Sequence, residues 1–132
     1  MSLLAPCAVG DVLDRITILR IKLARVAAGQ RANVAYELES LLSVWCAGGL
    51  PAPELVPEYG SLAEVNAALW NVEDRLRAAE AAGSFGDAFV ADARSVYVLN
   101  DRRASLKRAV NTGYGSLIVE EKFHAGYGSQ DG

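Results

Sequence analysis

The stretch VLDRITILRIKLARV, residues 12–26, carries more apolar surface than one helix face can hold. Val12, Ile16, Leu19, Leu23 and Val26 recur at spacings of four and three, the signature of a single helical stripe. Ile18 and Ile21 fall off that stripe, so the helix is apolar over more than half its circumference. A helix of this kind must either sit at the centre of a fold or share its second face with another chain. Gly29 is a natural stop for it.

Three further stripes follow. ANVAYELESLLSVWCAGG sets Val34, Leu38, Leu41 and Trp45 in register, and Gly48–Gly49 closes it. LPAPELVPEYG holds three of the four prolines and cannot be a long helix, which makes it a long loop. Ser61 and Glu64 have the spacing of a capping box at the head of SLAEVNAALWNVEDRLRAAEAAG. There Val65, Leu69, Val72, Leu76 and Ala79 repeat, and Gly83 ends the run. Ser84 with Asp87 is a second, weaker capping signal before a helix that closes at Asn111–Gly113. The expected helices span 10–28, 31–47, 61–82 and 85–111, with a tail over 112–132 that is extended or a short helix. Four such stripes in 132 residues predict one domain, an all-α antiparallel four-helix bundle.

Composition narrows the functions. The net charge of −3 argues against general nucleic-acid binding, and the basic run Arg102, Arg103, Lys107, Arg108 reads as a solvated or paired face. No apolar run approaches the ~20 residues of a membrane helix. MSLLAPC lacks a basic leader and reads as an ordinary N-terminus. Cys7 and Cys46 form no C-x-x-C pair, so two buried thiols in a reducing cytoplasm are expected. GYGS occurs twice, at 113–116 and 126–129, too short a unit for a repeat architecture.

Catalytic signals are sparse. Glu121 and His124 have the Glu-x-x-His spacing of di-iron bundles, but His124 is the single histidine, so one chain cannot complete the set and no metal is expected. The same count disfavours Ser-His-Asp and Cys-His arrangements. Phosphate-cradling glycine loops are missing, and no cofactor is expected. Trp45 and Trp70 are expected to anchor a core or an interface.

The polar residues repay closer attention. Val96, Leu99, Leu106 and Val110 place Arg103 in the middle of an apolar stripe, where a guanidinium must find partners. Positions facing each other across a helical hairpin have a nearly constant sum. A turn near Gly29 then pairs Lys22 with Glu37, and a turn near Gly83 pairs Arg94 with Glu73 at the core margin. Antiparallel packing of the first and last helices brings Arg103 near Asp11 and Asp14, with Glu64 and Asn66 close on the third helix. Asn66, Asn100, Arg103, Lys107 and Asn111 would then line one end of the bundle with those aspartates. Two roles stay open: an internal Asp11/Asp14 bridge that fixes register, or a receptor for an anionic small metabolite, with or without chemistry attached. Arg102 and Arg108 point away.

VGDVLDRITILRIKL, VNAALWNVEDRLRAAE, ARSVYVLNDRRASLKRAVN and GSLIVEEK resemble a family of small bacterial proteins, a domain of unknown function. The resemblance runs from about Val9 to Tyr127 and implies a stand-alone domain with no assigned activity. Its strings include Asp14, Thr17, Asn66, Trp70, Glu73, Arg94, Tyr97, Asn100, Arg103, Lys107, Asn111, Glu120 and Glu121. Arg20 departs from it, where an acidic residue would be expected after ITIL. The sequence thus favours a non-catalytic helical protein that self-associates, as a dimer, or docks a partner. The alternative is the anion site at Arg103 and Lys107.

Overall fold

A computed structural model describes residues 1–124. Among these residues four helices form, α1 (Val9–Arg25), α2 (Ala28–Ala47), α3 (Tyr59–Ala82) and α4 (Asp87–Gly113), with a 3-10 turn at Pro53–Leu55 in the proline loop. The described residues contain no strand, and the all-α four-helix expectation holds.

α1 packs against each of the other three helices, which is why its sequence is apolar on so many sides. Leu13, Ile16, Leu62 and Val110 are fully buried in the central cluster, together with Leu38 and Trp45 from α2. Trp45 also donates its indole N–H to the Pro51 carbonyl at 2.6 Å, which ties the proline loop to the core. Ile18 and Ile21 are half-buried within the chain itself. Centrality, the first of the two alternatives, accounts for α1.

Several local expectations are overturned. α1 stops at Arg25 because Val26 is extended, and Gly29 lies inside α2. The turn therefore centres three residues earlier, and Glu37 meets Arg15 at 3.1 Å instead of Lys22. Ser61 is inside α3, which begins at Tyr59 with no side-chain cap, so the Ser61/Glu64 box does not form. α4 begins at Asp87, likewise without a side-chain cap, which removes the Ser84/Asp87 signal. Both cysteines are exposed: Cys46 sits one position past inward-facing Trp45, and Cys7 lies in the exposed leading residues. Gly83 does end α3, in the left-handed region at φ 67°, with the Ser84 N–H donating to the Ala79 carbonyl. Residues 117–123 are non-helical, and the second GYGS lies outside the described residues.

α1 and α4 run antiparallel and come very close at one point. The N-terminal N–H groups of a helix lack partners within it. Here two are satisfied from more than a hundred residues away, Val9 N–H by Ser116 Oγ at 3.2 Å and Gly10 N–H by Asn111 Oδ1 at 2.6 Å. A Cβ on Gly10 would stand 2.9 Å from that oxygen and collide with the Lys107 backbone carbonyl. Glycine is what lets the two helices touch.

Candidate functional site: the α1–α4 seam

One turn beyond Gly10, the seam is keyed by charge. Arg103 donates from Nε to Asp14 Oδ1 at 2.9 Å and from Nη2 to Oδ2 at 2.6 Å, a bidentate fork. Asn66 on α3 donates to Asp14 Oδ1 at 2.9 Å and to Thr17 Oγ1 at 2.8 Å. Thr17 in turn donates its hydroxyl to the Asp14 backbone carbonyl. The Asp14 side chain is 3% exposed and that of Arg103 is 30%. Hydrogen bonding to Asp14 raises the Arg103 guanidinium above its ordinary value, against an opposing effect of burial. A carboxylate so buried is tolerable only because these donors replace its water. The arrangement locks three helices at one level.

The next turn of α4 brings Lys107 to Asp11 at 2.8 Å and to Glu120 of the tail at 3.0 Å. Burial pushes the Lys107 ammonium down, but hydrogen bonds to Asp11 and Glu120 outweigh it and leave it above its ordinary 10.5. Its contribution to stability is fully present at neutral pH and is lost only as pH rises through that elevated value.

The tail adds two more pairs, Arg108 with Glu121 at 3.5 Å and Lys122 with the buried Asp101. Glu120, Glu121 and Asp101 thus hold residues 120–122 against α4. Arg108, expected to be solvated, has an ion pair although it remains exposed. Between tail and helix lies a cavity of about 430 Å³, lined in part by Asn100, Arg103, Lys107 and Asn111.

Asp11, Asp14, Asn66, Arg103, Lys107 and Asn111 therefore do meet along the seam, and Asn100 lines the adjoining cavity. Glu73 and Arg94 stay apart from it. Glu73 pairs with Arg77 on its own helix at 3.7 Å, and Arg94 is exposed about 13 Å along α4 from Arg103. The α3–α4 register is as expected, but the residues that face each other are Arg75 and Asp92, bonded by two nitrogens at 3.0 and 3.1 Å. Sequence reasoning missed Asp101, which is buried and pairs with a lysine from the tail, and Ser116, which caps a helix at the opposite end of the chain. Arg20 is satisfied by Tyr59 and by Glu54, a carboxylate from the proline loop.

Among the described residues no group of histidine, cysteine or carboxylate side chains could hold a metal ion. Nor is any helix there long and apolar enough to cross a membrane.

This fold and seam define a small all-α domain whose helices are keyed by a buried arginine–carboxylate network. The chain belongs to a family of unknown function, DUF6165, whose model matches residues 5–130. Neither a curated protein nor a solved structure matches it.

Proposed function

We propose that the chain is a non-catalytic helical protein that acts through self-association, with the α3–α4 hairpin as the contact. One observation carries this reading: from Glu73 to Asn100 no residue is fully buried. This arm holds Phe85, Val90, Tyr97 and Val98 at 54%, 50%, 58% and 44% exposure. Leu76, Phe89, Val96 and Leu99 are only half-covered. Ile18 and Ile21, which give α1 its second apolar face, are already half-buried within the chain. Two helices alone bury too little to hold themselves together. A second hairpin laid against the first makes a four-helix bundle and covers the exposed apolar side chains of the arm.

The charge pattern favours a second copy in antiparallel orientation. Residues 78–93 carry Glu80, Asp87 and Asp92 and no lysine or arginine, whereas Arg94 and Arg102 follow toward the base. Two acidic tips side by side would repel. A two-fold axis across the arm instead sets Asp87 beside the second copy's Arg94, and the reverse. Seven alanines between residues 78 and 93 allow close approach.

Sedimentation equilibrium at high micromolar concentration should show a reversible dimer. Val90→Glu with Val98→Glu should weaken it about tenfold or more, as should Asp87→Arg or Arg94→Asp alone. Combining the two charge reversals should restore association. A wild-type chain that stays monomeric throughout contradicts the reading.

A further inference from the structure

The cavity between α4 and residues 116–124 has an unusual wall. Its inner side belongs to the helical body, where Asp14 holds Arg103 and Asp11 shares Lys107. Its outer side is the non-helical tail, whose Leu117 and Phe123 are fully exposed and contribute nothing to a core. Ion pairs with α4, together with the Ser116 hydrogen bonds, hold it there. The Glu120 and Glu121 carboxylates face solvent, which weakens their hold on Lys107 and Arg108.

We propose that this cavity is a binding site for a compact dianion, a phosphate monoester or a dicarboxylate, and that Glu120 and Glu121 occupy the positions of its charged oxygens. Leaving those two aside, Arg103, Lys107, Arg108 and Lys122 outnumber Asp11, Asp14 and Asp101 by one positive charge. Glu120 lies on Lys107 and Glu121 on Arg108, and all four residues line the one cavity, so the site presents two points for negative charge. Asn100 and Asn111 belong to the same lining. The volume, about 430 Å³, falls in the range of small-molecule pockets.

Entry of the ligand does not require release of the whole tail. The glutamate side chains are 64% and 71% exposed and can turn outward while Lys122 stays on the buried Asp101. A tethered carboxylate competes at an effective concentration in the millimolar range, so the native chain binds such ligands weakly and the glutamates set a threshold.

The test is a calorimetric titration at constant ionic strength, with inorganic phosphate and succinate as probes. Glu120→Gln with Glu121→Gln keeps size and removes the competing charges, and it should bind at least one of the probes about tenfold more tightly than the native chain. Adding Arg108→Gln should abolish the gain while circular dichroism shows the helices intact. In the native chain the same probe should move the carboxyl carbon resonances of Glu120 and Glu121 at millimolar concentration. Phosphate alone or succinate alone binding in this way identifies which dianion the site takes. No gain in the double variant, a gain that survives Arg108→Gln, or an equal response to chloride overturns the proposal.

Discussion

Replacing Asp14 with alanine is expected to cost about 3–5 kcal/mol of folding stability, the range for breaking a buried ion pair from one side. The reason is local. Asp14 receives two bonds from Arg103 and one from Asn66, so its loss removes the bidentate acceptor of a half-buried guanidinium and one acceptor of a buried amide. Against a total stability of about 5–15 kcal/mol, that is a large share. Arg103→Met should be damaging for the complementary reason, because the Asp14 charge stays buried with Asn66 as its remaining side-chain donor among those bonds. The double variant should cost much less than the sum of the singles, since each change removes the same interaction. Urea unfolding of the four chains gives the cycle. Additive losses would mean that Arg103 and Asp14 act independently, and the seam would need another explanation.

Gly10→Ala should be the next most harmful change, at about 1–3 kcal/mol from overpacking and more if the Asn111 bond is lost. Alanine ordinarily stabilises a helix, so propensity alone gives the opposite sign. Geometry decides here, because the added methyl meets the Lys107 carbonyl and Asn111 Oδ1 where α1 crosses α4. Gly29, which also lies in a helix but has open space around it, is the control: Gly29→Ala should be neutral or stabilising. Thermal unfolding that ranks the two variants the other way would place the close contact elsewhere.

The two substitutions also mark what could be read from residues alone. The stripes were legible because a 3.6-residue repeat is written in the chain itself, and an α1 apolar beyond one face pointed to a central place or to a face shared with another chain. The cost of a charge on that stripe plus a constant-sum count between antiparallel helices put Arg103 beside Asp11 and Asp14, but did not choose between them or between a bridge and an anion site. Helix ends were not legible in the same way. Ser61 and Glu64 have the right spacing for a cap, but α3 starts at Tyr59, where Leu62 N–H already bonds the Glu58 carbonyl. α1 is capped by Asn111 and Ser116, which no local window can reveal. Lys22 and Glu37 failed to pair because the turn centre moved by three residues, a shift that also rotates each side chain on its helix. In the α3–α4 hairpin the count was right and the face was wrong, so Arg75 and Asp92 meet where Arg94 and Glu73 had been expected. The sites at greatest variance depend on the tail, where Glu120, Glu121 and Lys122 fold back by charge and leave no apolar pattern to read.

The seam and the arm divide the molecule into a body with a buried cluster and a hairpin without one. Asp14, Arg103, Asn66 and the cluster around Ile16 and Leu62 belong to the first. The second has length and apolar side chains but no buried position from Glu73 to Asn100. Amide hydrogen exchange at two protein concentrations separates them most directly. Protection across residues 76–99 should rise steeply between low and high micromolar protein, while that of Leu13, Ile16 and Val110 should remain high at both. Equal protection of the arm at the two concentrations would show that it is stable alone, and self-association through the hairpin would be wrong.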